Sequence, residues 1–189
     1  MQPIATTRSV TGIPTGRLAM WWLISSEIVI FGGLLSMYLM LRLKFDYWSE
    51  SSAHTNTMAG SINTFILLTS SLSAVIAHHY AEKKDGVKAF VFLWLTILGG
   101  FGFLIVKGLE WTNEIMHGYT IGSSLFWSFY YTAAGIHGAH VVAGMVAMAI
   151  VSFDALRQKN LQRVELVGLY WHFVDVVWIF LFPLLYIAK

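Results

Sequence analysis

Five long apolar stretches, separated by short polar segments, make up most of this 189-residue chain. They cover roughly 18–41, 58–80, 88–109, 125–153 and 165–188. Each is long enough for the ~20 residues that a helix needs to cross the hydrocarbon core of a bilayer. The pattern therefore predicts an all-α fold, in which residues 1–189 form a single integral membrane domain, a bundle of five transmembrane helices.

The composition supports a membrane protein. Hydrophobic residues make up 57% of the chain and charged residues only 12%, whereas soluble domains have about 25% charged residues. So few charges cannot coat a soluble globule, and the high apolar content excludes a disordered chain. The mean hydropathy is +0.64.

Charge and cysteine content exclude several kinds of function. The net charge is only +2 and no basic stripe is visible, so we expect no nucleic-acid partner. The chain has no cysteine, which removes disulfides, thiolate metal sites and thiol nucleophiles from consideration.

The basic residues outside the spans predict how the bundle is oriented. One side of the membrane would carry eight of them, namely Arg8, Arg17, Lys83, Lys84, Lys88, Arg157, Lys159 and Arg163. The other side would carry four, namely Arg42, Lys44, Lys107 and Lys189. Positive residues favour the cytoplasmic side, so we expect the N-terminus in the cytoplasm and the C-terminus outside.

Ionisable residues inside the spans are candidates for function, because burying them in hydrocarbon is costly. Glu27 lies ten residues after Arg17, which on a helix is about 15 Å, near the middle of the membrane. Asp175 lies at a comparable depth in the fifth span. Glu110 lies at the outer end of the third span, where we expect water to be close.

Three histidines complete a predicted polar layer. His137 and His140 are three residues apart on one face of the fourth span, and His172 precedes Asp175 by three residues. The opposite directions of the fourth and fifth spans put these histidines at similar depths. We therefore expect polar side chains from different helices to meet between the helices.

Residue chemistry alone leaves several interpretations of this layer open. A ferritin-like metal pair requires a repeated Glu-x-x-His pattern, whereas this chain has His-x-x-His and His-x-x-Asp. A self-sufficient haem b protein could use His137 or His140 together with His172. A small transporter or proton channel could be built around Glu27. The simplest interpretation is that these groups hydrogen-bond one another or a partner subunit.

Two further patterns concern packing. The fourth span has a row of small residues at four-residue spacing, Gly135, Ala139, Ala143 and Ala147. Such a row lets another helix approach closely, and we expect it in the bundle core. The span begins with an aromatic run that we expect to face lipid or a partner, Phe126, Trp127, Phe129, Tyr130 and Tyr131.

Four of the five spans carry motifs of a known family. The stretch Thr132-Ala-Ala-Gly-Ile-His137-Gly-Ala-His140-Val-Val-Ala-Gly144 resembles the Thr-Gly-x-His-Gly-x-His-Val motif of haem–copper oxidase subunit III, with Thr132 displaced from Gly135. The run from Tyr170 to Trp178, which contains His172 and Asp175, is similar to the family's last helix. Ser26-Glu27 resembles the family's helix that carries a buried glutamate. Lys107-Gly-Leu-Glu110-Trp resembles the outer end of the family's third-from-last helix.

This resemblance implies an accessory subunit without redox chemistry of its own. Subunit III of cytochrome c and quinol oxidases has no catalytic centre. It packs beside subunit I, holds phospholipid, and supports proton uptake. The haems and copper used in aerobic respiration belong to the partner subunits of the complex. The chain would lie in the inner (plasma) membrane of a prokaryote. An alternative is a subunit III-like component of a nitric oxide reductase. Many family members have seven spans, so this chain resembles a short form that lacks the first two.

By the same resemblance, Glu27 corresponds to the family's membrane-embedded acid. His137, His140, His172 and Asp175 correspond to its buried polar residues, which would contact lipid or a neighbouring subunit.

Overall fold

The computed structural model describes residues 12–45 and 48–188, apart from the side chain of Ser49. In this part of the chain, helices follow one another in the order α1 (Thr15–Lys44), α2 (Trp48–Ala53), α3 (Thr57–Glu82), α4 (Gly86–Met116), α5 (Leu125–Leu156) and α6 (Gln162–Phe182). A π-helical segment, Pro183–Ile187, continues α6. Arg8 and Lys189, used above to predict orientation, lie outside the described residues.

Five helices are long and apolar enough to cross a membrane: α1, α3, α4, α5, and α6 together with the π-helical segment. The predicted fold class, an all-α bundle of five such helices, is therefore confirmed. The hydropathy pattern did not predict α2, a helix of only 6 residues between the first two spans.

Local chemistry explains where several helices begin and end. The side chains of Asn56, Asp85 and Ser124 each accept a hydrogen bond from a backbone N–H three residues later, which caps α3, α4 and α5. The backbone and side-chain hydrogen bonds from Lys88 also lower the pKa of the Asp85 carboxyl. At the other end of the chain, Pro183 has no N–H to donate, and the α-helical pattern gives way there to the wider π-helix.

The core lies between α3, α4, α5 and α6, and α1 is peripheral. For each helix, we compare the share of its most apolar 18-residue window that is buried inside the protein. This share is 28–44% for α3, α4, α5 and α6, but only 6% for α1. Phe31 and Tyr38 are the buried residues of α1. The first span therefore lies along the bundle and is not surrounded by it.

The structure corrects both packing expectations for α5. Phe126, Trp127 and Tyr130 are at most 2% exposed, so most of the aromatic run fills the core and does not face lipid. Ala139 and Ala143 are exposed. The helix instead turns a face that includes His137, Val141 and Gly144 inward, with Gly144 against the ring of Trp171.

The N-terminal end of α4 and the C-terminal end of α5 approach each other at Gly86. A Cβ atom added there would lie 2.0 Å from the backbone carbonyl oxygen of Ala155. Backbone cannot yield as a flexible side chain can, so only glycine fits this position.

We predict that Gly86→Ala lowers the free energy of unfolding by about 1–3 kcal/mol, because the added methyl group overpacks a contact with backbone. Thermal unfolding of the detergent-solubilised protein measures the change. Gly108→Ala is the matched control in the same helix, since a Cβ there meets nothing within 4 Å. Equal stability of the two variants would contradict the prediction.

Candidate functional site

Glu27 and His140 pair between α1 and α5. Glu27 Oε2 lies 2.9 Å from His140 Nε2, and the two side chains are 15% and 20% exposed. His140 Nδ1 lies 2.8 Å from the carbonyl oxygen of Ile136. That oxygen can only accept, so Nδ1 carries a proton and Nε2 faces the carboxyl group. The pair therefore shares one proton, either on Glu27 or on the imidazolium.

Three further polar contacts hold α1 at its two ends. At the N-terminal end, an Arg17 guanidinium nitrogen lies 2.7 Å from Glu165 Oε1 at the start of α6. At the C-terminal end, the Tyr38 hydroxyl donates to the carbonyl oxygen of Leu184, and Arg42 donates to that of Ala188 over 2.7 Å. Glu27–His140 is thus the middle of three tethers along the helix.

The other predicted residues lie in separate surroundings. His172 Nδ1 lies 2.6 Å from the Ser71 hydroxyl oxygen on α3. His137 is fully buried, with its ring stacked on Trp178 and the edge of Phe103 against it. Asp175 is 4% exposed. Within the described residues, the side chain of His137 has no hydrogen-bond partner.

Of the five residues expected in the polar layer, the structure therefore joins Glu27 directly to His140. The three histidines contact different helices: α1 through His140, α3 through His172, and both α4 and α6 through His137. Among the described residues, no group of three or more His, Asp or Glu side chains is placed to hold a metal ion.

Glu110 belongs to a buried cluster that the sequence analysis missed. We expected water near this residue, but Glu110 is only 5% exposed. Its Oε2 accepts a hydrogen bond from Lys107 Nζ at 3.0 Å, and its Oε1 accepts one from the Tyr130 hydroxyl at 2.8 Å. Tyr186, in the π-helical segment, donates to Oε2 at 3.1 Å.

Lys107 completes this cluster. Its three N–H groups have three acceptors, because Nζ also donates to the hydroxyl oxygens of Tyr130 and Tyr186. The ammonium group lies 4.6 Å and 4.9 Å from the centres of those two rings, a cation–π arrangement. A Lys-x-x-Glu spacing within an apolar helix was the available sequence signal, but it does not reveal the two tyrosines.

We predict that Lys107→Met lowers the free energy of unfolding by about 3–5 kcal/mol, because it leaves the Glu110 carboxylate buried without its counterion. Thermal unfolding of the purified protein measures the loss. Adding Glu110→Gln to this variant should restore part of the stability, because it removes the uncompensated charge.

Lys88→Met is the matched control, since Lys88 pairs with Asp85 at 3.0 Å but its side chain is 59% exposed. This exposed pair should contribute little. A double variant as unstable as the sum of its two single variants would contradict the assignment of Lys107 and Glu110 as a coupled pair.

Comparisons with known proteins extend over almost the whole chain. The family model described as Cytochrome c oxidase subunit III matches residues 6–189. The cytochrome c oxidase subunit 3 of Corynebacterium diphtheriae is 35% identical over 173 residues, which are 88% of this chain and 84% of that protein.

Relatives from other bacteria are similar to a comparable degree. The cytochrome c oxidase subunit 3 of Bacillus subtilis is 35% identical over 90% of this chain and 84% of its own length. The probable quinol oxidase subunit 3 of Staphylococcus saprophyticus is 31% identical over 90% of this chain and 87% of its own length. The chain therefore belongs to the cytochrome c oxidase subunit III family.

Proposed function

We propose that this protein is the accessory subunit III of a proton-pumping haem–copper terminal oxidase. It packs beside subunit I in the membrane, takes no part in electron transfer itself, and supports the stability and sustained proton uptake of the complex. The observation that carries this proposal is the family match over residues 6–189 on a chain that folds into five membrane-spanning helices. Haems and copper belong to the partner subunits.

The proposed setting is the plasma membrane of a bacterium, with the N-terminus in the cytoplasm. Lys107 is buried among aromatic rings, so it no longer counts among the surface charges of the outer side. Among the described residues, this leaves Arg42 and Lys44 on the outer side. Arg17 and the basic residues of the α3–α4 and α5–α6 connections lie on the other side, so the charge asymmetry favours this orientation.

A groove between α1 and α6 offers a place for a phospholipid acyl chain. It has a volume of about 150 Å³ and is lined only by apolar residues, which include Ile28, Phe31 and Leu35 of α1 and Phe173 and Val176 of α6. Phe31 also packs against His140, with ring centres 5.1 Å apart. A chain bound there would lie directly beside the Glu27–His140 pair.

The Glu27–His140 pair is the best candidate for a role in proton uptake. It lies on a membrane-spanning helix, is partly accessible, and holds a proton that can sit on either residue. Transfer of this proton between the two residues leaves the net charge of the pair unchanged. Its position on a helix with little buried surface exposes it to whatever packs against α1 in the complex.

We predict that the isolated chain has no stoichiometric Soret band and consumes no oxygen. Absorption spectroscopy and an oxygen electrode measure this on the purified subunit, with the intact oxidase as positive control. A Soret band that disappears in His172→Ala would instead support the self-sufficient haem b protein. Proton flux through the isolated chain in liposomes would support a channel.

We also predict that Glu27→Gln reduces sustained oxidase turnover at alkaline pH more than it reduces assembly of the complex. Protons are scarce at high pH, and loss of an exchangeable proton at this position therefore matters most there. Oxygen consumption over many turnovers, measured from neutral to alkaline pH, gives the profile.

Glu165→Gln is the matched control, because Glu165 also tethers α1 but lies at its cytoplasmic-side end. If both variants lose turnover equally at every pH, the tether matters and the proton on Glu27 does not. Unchanged kinetics in Glu27→Gln would contradict the proposed role altogether.

A further inference from the structure

The interface between α3 and α6 contains an acid and a histidine from the same face of α6. Asp175 and His172 are three residues apart, which places them one turn from each other on that helix. Asp175 is 4% exposed, whereas His172 is half-buried. Both are separate from the Glu27–His140 pair and from the cluster around Lys107.

The hydroxyl group of Ser71 on α3 connects these two side chains. Its oxygen lies 2.6 Å from His172 Nδ1, and the same hydroxyl group interacts with the carboxyl group of Asp175. A serine hydroxyl has one proton to donate and two lone pairs that accept. It can therefore donate to one neighbour while it accepts from the other, and it can reverse that direction.

The acid and the imidazole constrain each other because they lie inside a membrane-spanning bundle. A carboxylate without compensating charge is costly there, so Asp175 either keeps its proton or requires a positive charge nearby. Through Ser71, His172 supplies that charge when it becomes an imidazolium. The pair has no net charge in either arrangement, as a carboxylic acid with a neutral imidazole or as a carboxylate with an imidazolium.

A proton can pass between these two arrangements without leaving the interface. When His172 carries its own proton on Nε2, Nδ1 is free to accept another. The Asp175 carboxyl group then gives its proton to the Ser71 oxygen while the Ser71 hydroxyl proton moves to Nδ1. One O–H bond breaks at Asp175, one N–H bond forms at His172, and Ser71 is a neutral hydroxyl group before and after.

More accessible titratable groups lie toward the C-terminal end of α3. His172 interacts electrostatically with His78, and His78 Nε2 lies 3.5 Å from Glu82 Oε1. The side chains of His78 and Glu82 are 36% and 65% exposed, so this end of the interface is open to water. Titratable groups of the other helices are engaged elsewhere: Glu27 with His140, Lys107 with Glu110, and His137 with Trp178 and Phe103.

We propose that Asp175, Ser71 and His172 form a proton-binding site between α3 and α6, in which the Ser71 hydroxyl relays a proton between the carboxyl group and the imidazole. The site exchanges protons with water at the C-terminal end of α3, past His78 and Glu82. It is a property of this chain alone, so it does not depend on the proposed membership of an oxidase complex or on the proposed role of Glu27.

The test is a pH titration of the full chain in lipid nanodiscs that follows both groups. ¹⁵N NMR of labelled histidine separates the neutral and imidazolium forms of His172, and the infrared carbonyl band of a protonated carboxylic acid reports on Asp175. His172→Gln and Asp175→Asn assign the two signals. Because the groups share protons, we expect each signal to follow both steps of a coupled titration between about pH 4 and pH 9.

Removal of the bridging hydroxyl group should separate the two titrations. In Ser71→Ala, we expect the His172 and Asp175 signals to lose their shared steps, whereas Ser71→Thr keeps a hydroxyl group and should restore them. Ser73→Ala is the matched control on the same helix, because the Ser73 hydroxyl bonds instead to the Thr96 hydroxyl and to a backbone carbonyl oxygen. This variant should keep the shared steps.

Several outcomes would overturn the proposal. These are independent titration of the two groups in the wild-type chain, and shared steps that persist in Ser71→Ala. Loss of the shared steps in Ser73→Ala as well would also contradict it, because the coupling would then reflect the packing of α3. Asp175→Asn preserves the shape of the side chain and gives a second measurement, in which His172 should lose the step that it shares with Asp175. Persistence of that step would exclude the relay.

Discussion

The arrangement of the bundle depends on close packing and on polar contacts between its helices, because hydrocarbon surrounds them. Lipid tails are as apolar as leucine, so burying an apolar face against another helix gains little, and close packing and polar contacts decide the arrangement. The dependence is clearest for α1, of which only 6% is buried in its most apolar window. Its position is set by contacts at three depths, through Arg17, Glu27, and Tyr38 with Arg42.

The C-terminal π-helical segment is the second point on which the architecture depends. Carbonyl groups in a last helical turn lack donors of their own, and here side chains from elsewhere supply them. Tyr38, Thr55, Thr57 and Arg42 donate to the carbonyl oxygens of Leu184, Leu185, Tyr186 and Ala188, respectively. The Lys107 cluster binds the same segment through the Tyr186 hydroxyl. One short segment thus connects α1, α3, α4 and α5.

The candidate site was predictable from sequence in its residues but not in its contacts. An acid or a histidine inside an apolar span is visible in any hydropathy plot, and Glu27 and His140 were found that way. Their pairing joins residues 113 positions apart, which spacing along one helix cannot reveal. Glu110 was expected near water because it lies near a helix end. Lys107 lies one turn earlier in the same helix, and Tyr130 and Tyr186 from other segments hydrogen-bond to this pair and bury it.

The sequence by itself determined the five spans, the all-α class and the family, because each depends on runs of apolar residues or on local motifs. Only the tertiary structure decided which face of each helix is buried. In α5, apolar side chains occur on every face, so the pattern has no preferred direction, and Phe126 and Tyr130 proved to be core while Ala139 and Ala143 proved to be exposed. In a membrane both sides of a helix can be apolar, and the polar pairs between helices therefore select the packing.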